Sequence, residues 1–287
     1  MDIAVVGAGL MGRPMAERLH AAGHRVTAYN RTRNKIADLT QAGIAVAERP
    51  EDAVRAASCV ILMLADAQAI RAALLAASAR TELAGRTVIQ MGTISPRESQ
   101  ALQQEVRAAG GDYLEAPVLG SITEAKAGRL IVMVGASPDQ FAHWADLLRS
   151  LGAEPRLIGA VGQAAALKLA LNQLIAAELA AFALSLGLVQ RAGVPVEAFM
   201  AILRESALYA PTFEKKLPRL LKRDYANPNF PAKHMLKDAR LILQEAAAIG
   251  LDASGFEGVT TLLQKAIAHG LAEGDYSALY DAVNPPA

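Results

Sequence analysis

The chain has 287 residues, 53% of them hydrophobic and only 5% aromatic, with 29 Lys+Arg against 28 Asp+Glu for a formal charge of +1. That balance leaves no global field to gather nucleic acid or an anionic membrane surface, so a small ligand is expected. An Ala/Leu-rich chain of this length suits packed helices and parallel strands, as two domains or as one large α/β domain.

In chain order, short β-branched runs alternate with helical stretches from Met1 to about Ile158, the pattern of βαβ units and a mostly parallel sheet. Strands are expected at Ile3–Val6, Arg25–Tyr29, Cys59–Met63, Thr87–Gln90, Tyr113–Glu115, Leu130–Val134 and Pro155–Leu157, with helices such as Met11–Ala22 and Pro138–Leu151 between them. After Gly162 the strand signals stop. Helical patterns follow, broken at Gly193-Val194-Pro195, Ala210-Pro211 and Asn227-Pro228-Asn229. The expected fold is therefore α/β: a Rossmann-type doubly wound domain over residues 1–160, then an all-α second domain over 161–287, joined by a long interdomain helix. Ala164–Val189 is apolar enough to span a membrane, but Lys168, Asn172, Gln173 and Glu178 interrupt it, which favours a helix between protein layers.

The lone cysteine, Cys59, lies in an apolar strand run and reads as structural. One cysteine closes no internal disulfide, and the apolar start Ile3–Gly7 is too short for a signal, so a cytoplasmic protein is expected. No metal-ligand motif is present in the sequence.

Gly7-Ala8-Gly9-Leu10-Met11-Gly12 follows the first strand and opens the first helix, the context in which GxGxxG binds a dinucleotide. Gly7 permits the turn, Gly9 lets pyrophosphate approach the backbone, and Gly12 lets helix and strand pack, while the N–H groups of the helix start receive phosphate. The alternative for such a loop is a glycine-rich turn without a ligand. At the end of the second strand the chain reads Asn30-Arg31-Thr32 with no carboxylate. An NAD-selective site places Asp or Glu there for the ribose 2′-OH. Arg31 instead offers a guanidinium fork to a 2′-phosphate, with Asn30 and Thr32 as further donors, so NADP (NADPH) is the expected cofactor. A simpler role for Thr32 is an N-cap, and for Arg31 a solvated charge.

Lys168 and Asn172 are four apart and share one face of a helix otherwise built of Ala, Leu and Ile. A lysine there serves either acid/base chemistry or merely snorkels to solvent.

With Gly9-Leu10-Met11-Gly12-Arg13-Pro14-Met15-Ala16, Asn30-Arg31-Thr32 and Gly162-x5-Lys168-x3-Asn172, the chain resembles, over nearly its whole length, the β-hydroxyacid dehydrogenases. The segment Phe230-Pro231-Ala232-Lys233-His234-Met235-Leu236-Lys237-Asp238 looks most like the glyoxylate/succinic semialdehyde reductase branch. The resemblance implies an oxidoreductase in which hydride from NADPH reaches a small aldehyde or 2-oxo acid, Lys168 gives the proton and Asn172 orients it. It also implies a loop after Ala116-Pro117-Val118 that holds the substrate carboxylate. Here that loop is Leu119-Gly120-Ser121, with Leu119 where the family places a serine, leaving the backbone N–H groups of all three as donors. Thr93, by resemblance near the nicotinamide ribose, follows Gln90-Met91-Gly92 in place of the family's Asp-x-Ser. Leu64 and Ala65 would line the cofactor cleft or belong to the core. By resemblance Lys237 reaches the cofactor and Phe230 packs near the nicotinamide, while Lys233 reads as a solvated charge and His234 has no assigned role.

Competing readings are a 3-hydroxyisobutyrate-type dehydrogenase running in the opposite direction, an imine reductase, and a sensor that binds NADPH without turnover. Imine reductases share this architecture but usually lack the lysine, so Lys168 argues for carbonyl chemistry. A homo-oligomer, at least a dimer, is expected from the apolar helix and the Ala-rich second half.

Overall fold

Alternating burial along the first strand organises the N-terminal half. In the computed structural model, which describes residues 1–286, Ile3 and Val5 of β1 (Asp2–Val6) point into one apolar cluster and Ala4 and Val6 into another. The remaining strands are β2 (Arg25–Tyr29), β3 (Ala45–Val46), β4 (Cys59–Leu62), β5 (Thr87–Gln90), β6 (Asp112–Glu115), β7 (Val118–Leu119), β8 (Ile131–Gly135) and β9 (Arg156–Gly159). They form one sheet in the order β3-β2-β1-β4-β5-β6-β8-β7, with β9 added to β8. Pairing is parallel from β3 to β6, and β8 runs antiparallel to β6 and β7. The 3-2-1-4-5-6 order is that of a doubly wound dinucleotide fold, whose chain reverses its direction of growth between β1 and β4.

Helices α1 (Gly12–Ala21), α2 (Pro50–Arg55), α3 (Ala67–Leu74), α4 (Ala77–Arg80), α5 (Pro96–Arg107), α6 (Ile122–Ala127) and α7 (Pro138–Arg149) complete this half. Met15 and Leu19 of α1 pack with Trp144 and Leu148 of α7 on one face of the sheet, and Ile70 of α3 with Leu102 and Val106 of α5 on the other. Each such fully buried side chain contributes about 1.5–3 kcal/mol relative to exposure. Cys59 is fully buried in β4, and loss of solvent drives its thiol well above the ordinary range, so it stays protonated. The sequence pattern anticipated seven of the strands; β3 and β7 are two residues long, too short to show alternation.

Past β9 come α8 (Gln163–Arg191), α9 (Val196–Glu205), α10 (Pro211–Lys222), α11 (Ala232–Ala248), α12 (Ser254–Ala268) and α13 (Leu279–Val283). The chain divides into two compact units, Met1–Leu169 and a second beginning at Ala170, the division falling within α8. In the second unit Phe182 stacks on Phe213 with ring centroids 4.6 Å apart, surrounded by Leu179, Leu186, Met200, Met235 and Leu263. A buried ion pair, Lys216 Nζ to Asp275 Oδ1 at 2.6 Å, sits in the same unit with Lys216 over the ring of Tyr276. α8 is long and apolar enough to cross a membrane, yet 44% of its most apolar stretch is buried inside the protein. Its outer face carries Ala170, Leu174, Ala181, Leu184 and Leu188, with the half-buried Ala177 between them at the edge of the core, spaced alternately by four and three residues, and the three leucines are more than half exposed.

Candidate active site

β1 ends directly in the glycine loop. Gly7 has φ 99°, and a Cβ there would lie 2.4 Å from the Met63 carbonyl oxygen; a Cβ on Gly12 would lie 2.2 Å from the Gly7 carbonyl oxygen. Neither position admits a side chain. Above Gly9 nothing lies within 4 Å of such a Cβ, so the backbone is open to a ligand there. The start of α1, at Met11, has no side-chain cap and no acidic residue in its first turn. Leu10 is exposed beside it. An uncapped helix start beside a bare glycine backbone accommodates a pyrophosphate, which is what the Gly7–Gly12 segment requires to bind a dinucleotide.

At the end of β2 the half-buried Asn30 donates from Nδ2 to the Thr32 carbonyl at 3.0 Å. Thr32 is exposed and its side chain makes no capping hydrogen bond, so the helix-cap alternative for it is not realised. Neighbouring arginines are committed to carboxylates: Arg13 to Asp38 at 2.6 Å and Glu17 at 3.0 Å, and Arg33 to Glu48 at 2.9 Å. Arg31 is exposed and makes no ion pair or hydrogen bond among the described residues.

The loops after β4 and β5 lie against each other. A Cβ on Gly92 would stand 2.5 Å from the Leu64 carbonyl oxygen, which excludes a serine at that position. Gln90 supplies the missing hydrogen bonds, its Nε2 donating to the Gly92 carbonyl at 2.9 Å and its Oε1 accepting from the Gly92 N–H at 2.8 Å. Leu64 is half-buried against the core, Ala65 is exposed and Thr93 half-buried.

In the next loop Leu119 is half-buried in β7, opposite Ile131 of β8. Gly120 has φ 139°, and a Cβ on it would meet Leu130 Cδ2 at 2.8 Å. Ser121 caps α6: Glu124 Oε2 accepts from its N–H at 2.7 Å and from its hydroxyl at 2.5 Å. Both Ser121 donors are therefore turned onto Glu124, and the Leu119 N–H faces Ile131 in the antiparallel ladder of β7 with β8, so the N–H that the loop presents is that of Gly120. The Ser-x-x-Glu spacing was visible in the sequence as a capping box.

Lys168 is half-buried on α8. One turn later Asn172 is only 1% exposed; its Nδ2 donates to Asp238 Oδ2 at 2.7 Å, and its buried Oδ1 has no hydrogen-bond partner among the described residues. Asp238 is also buried and ion-paired with Lys237 at 2.6 Å. Asp238 thus fixes Asn172, a role that sequence reasoning missed because the partners stand 66 positions apart. The ring of Phe230 rests on Tyr276, centroids 5.7 Å apart. Lys233 is ion-paired to Glu273 rather than merely solvated, and burial with Lys233 and Lys237 nearby holds the His234 imidazole below its ordinary pKa.

Two family models cover the chain, one described as the NAD binding domain of 6-phosphogluconate dehydrogenase over residues 2–162, the other as the NAD-binding domain of NADP-dependent 3-hydroxyisobutyrate dehydrogenase over residues 162–283. The chain is 31% identical to 2-hydroxy-3-oxopropionate reductase of Escherichia coli over 99% of its length and 97% of that protein's. It is 30% identical to glyoxylate/succinic semialdehyde reductase 1 of Arabidopsis thaliana over 99% and 98% of the two chains. The solved 3-hydroxyisobutyrate dehydrogenase of Mycobacterium tuberculosis, with L-serine, superimposes at a TM-score of 0.86 with 25% identity, covering 98% of each chain. With a glycine loop shaped for a dinucleotide and these matches over both halves, the chain belongs to the β-hydroxyacid dehydrogenase family and is an NAD(P)-dependent hydroxy-acid dehydrogenase or reductase.

Proposed function

We propose that the chain uses NADPH to reduce a small aldehyde or 2-oxo acid, of the glyoxylate or succinic semialdehyde kind, with Lys168 donating the proton to the carbonyl oxygen. The bound nicotinamide supplies the hydride. The observation that carries the reading is Asn172: a buried carboxamide, held from one side by Asp238, leaves its oxygen unpaired one turn from Lys168. A buried acceptor without a partner costs about 1–3 kcal/mol, and the Lys168 ammonium or a substrate hydroxyl is the donor that recovers it. In this reading Asn172 orients the lysine, which protonates the oxygen as negative charge develops there and takes the proton back in the oxidative direction.

The glycine loop from Gly7 to Gly12 holds the pyrophosphate, and Arg31, with Asn30 and Thr32, holds the 2′-phosphate. Supporting NADP are the exposed, unpaired Arg31, the absence of a carboxylate at the end of β2, and the NADP-dependent enzyme named by the second family model. Leu64, Ala65 and Thr93 border the nicotinamide, and Phe230 and Lys237 keep the cofactor role that the resemblance gives them. Because the Ser121 donors are spent on Glu124 and the Leu119 N–H faces Ile131 of β8, the substrate carboxylate rests on the N–H of Gly120. The apolar Leu119 then favours a substrate with an alkyl portion, such as succinic semialdehyde, over glyoxylate.

The test is turnover of small aldehydes, 2-oxo acids and hydroxy acids with both cofactors, repeated with Lys168→Ala. An acid/base group contributes about 10²–10⁴-fold to rate. Loss of that order with NADPH binding intact supports the reading, whereas near-original turnover by a folded Lys168→Ala protein sinks it. Binding of NADPH by the unmutated protein without turnover of any substrate would favour a sensor.

We further propose that the exposed stripe of α8 packs against a second copy of this chain. Alternating spacings of three and four residues place these side chains along one seam, the pattern of helix pairing. Sedimentation should show a dimer or larger assembly that Leu184→Glu with Leu188→Glu reduces to monomer. A monomeric unmutated protein would refute this.

A further inference from the structure

An acidic side chain outside the proposed chemistry lies buried at the start of α8. Glu115, the last residue of β6, is 1% exposed. Its Oε1 accepts from the backbone N–H groups of Gly162 at 2.8 Å and Ala165 at 3.0 Å. Its Oε2 accepts from the Ser99 hydroxyl, which lies 2.9 Å from the hydroxyl of the buried Tyr113. The space is kept for it: opposite Glu115 on β8 stands Gly135, where a Cβ would come within 2.5 Å of Oε1. A 29-residue helix is therefore capped by a strand residue some 50 positions earlier rather than by a neighbour in sequence. Burial pushes the Glu115 carboxyl up, while Ser99 and the helix N–H groups pull it back towards the ionised form that suits the positive end of a helix.

The place of this anchor relates it to chemistry. Register pairs Val6 with Leu62, Leu62 with Gln90 and Gln90 with Glu115, so Glu115 stands in the same row across the sheet as the residue preceding Gly7. Lys168 follows Ala165 by three residues, a rise of about 4.5 Å along the axis. Gln100 of α5 holds the preceding turn, donating from Nε2 to the Val161 carbonyl at 3.3 Å.

We propose that Glu115 is a positioning residue for the reduction: its carboxylate ties the first turn of α8 to the carboxyl edge of the sheet and so sets the height of Lys168 above the row from which the glycine loop leaves. The inference rests on the reading of Lys168 as proton donor. Glu115 touches neither substrate nor cofactor in this account. It acts through the helix, and an error of about 1 Å in a reacting group is worth roughly 10²-fold in rate.

The test compares Glu115→Gln, Glu115→Asp and Glu115→Ala in the full chain. Each is assayed for kcat and KM with the best aldehyde at saturating NADPH, for NADPH affinity by fluorescence, and for hydrogen exchange at the Gly162–Ala165 amides. Glutamine keeps an acceptor for both amides but loses the charge and turns its Nε2 donor onto the Ser99 hydroxyl, which can accept in turn, so it should retain kcat within about tenfold, whereas alanine loses roughly 10²-fold. In both, KM and NADPH affinity stay near their original values, the solvent isotope effect on kcat rises, and the amides exchange faster in the order Gln, Asp, Ala. If alanine does not fold, the glutamine and aspartate proteins carry the same comparison. Unchanged kcat beside an inactive Lys168→Ala protein overturns this inference alone, as does a parallel loss of kcat and NADPH affinity. Turnover persisting in Lys168→Ala overturns the proton-donor reading, and this inference with it.

Discussion

Replacing Arg31 by alanine tests the cofactor assignment at the one point where NADH and NADPH differ, the 2′ position of the adenosine ribose. Arg31 is exposed at the end of β2 and has no carboxylate partner, whereas Arg13 and Arg33 beside it are each tied to acidic side chains. A guanidinium that forks onto a phosphate makes charge-assisted hydrogen bonds worth about 1.5–3 kcal/mol, which at roughly 1.4 kcal/mol per tenfold is about 10- to 150-fold in affinity. The unmutated protein should therefore favour NADPH over NADH by at least about tenfold in kcat/KM, and Arg31→Ala should erase most of that factor by weakening NADPH alone. Because the pair is exposed, the preference should shrink as ionic strength rises. Arg33→Ala, which breaks only a surface ion pair of about 0–1 kcal/mol, should leave the ratio nearly unchanged. Steady-state kinetics with both cofactors, at low and high salt, measure all of this. Equal use of NADPH and NADH by the unmutated protein, or a ratio that survives Arg31→Ala, would refute the reasoning.

Leu119→Ser restores a hydroxyl donor beside the loop proposed to receive the substrate carboxylate, and one hydrogen bond to a charged group is worth about 1.5–3 kcal/mol, so KM for glyoxylate should fall by roughly tenfold or more. Glu124→Gln removes a like charge from the same loop and should lower it further, while the KM of an uncharged aldehyde of similar size is unmoved by either change. Equal effects on both substrates would show that this loop does not select the carboxylate. Stability carries a pH signature as well. Burial holds both His24 and His234 below the usual imidazole value, so their contribution is present above about pH 6.5 and is lost as pH falls through the depressed folded-state values. Thermal melting between pH 7.5 and 5 should therefore fall more steeply for the unmutated protein than for His234→Gln; identical slopes would dismiss the contribution of His234.

The sheet was legible because its central strands β1, β4, β5 and β6 are buried on both faces and read as short apolar runs between helical patterns; only β3 and β7, too brief to carry a period, escaped. The glycine loop was legible for a steric reason, since Gly7 and Gly12 stand where a Cβ would strike a backbone carbonyl. What sequence could not supply were the supports of the candidate site. Asp238 meets Asn172 across 66 positions and Glu115 meets the start of α8 across 47 to 50, and no local pattern encodes either pairing. Glu124 is the intermediate case. Its capping spacing from Ser121 is present in the sequence and competes with the resemblance, which offers the Ser121 N–H to the substrate carboxylate.

The departures from the family pattern have a common logic. Gly92 is required because the Leu64 carbonyl occupies the space of any side chain there, and Gln90 then closes the loop on itself with two hydrogen bonds. At the end of β7 an apolar Leu119 and a cap between Ser121 and Glu124 withdraw donors from the loop proposed to collect a carboxylate. Both changes fall on loops at strand ends, and neither touches the Gly7–Gly12 turn or the pair Lys168 and Asn172 on α8. On the proposed reading, a chain that alters its substrate-side donors while keeping Lys168 and Asn172 changes which carbonyl it accepts, not what it does to it. Substrate screens on this protein should therefore extend to longer and less charged aldehydes, and a preference for the smallest 2-oxo acids would contradict that account.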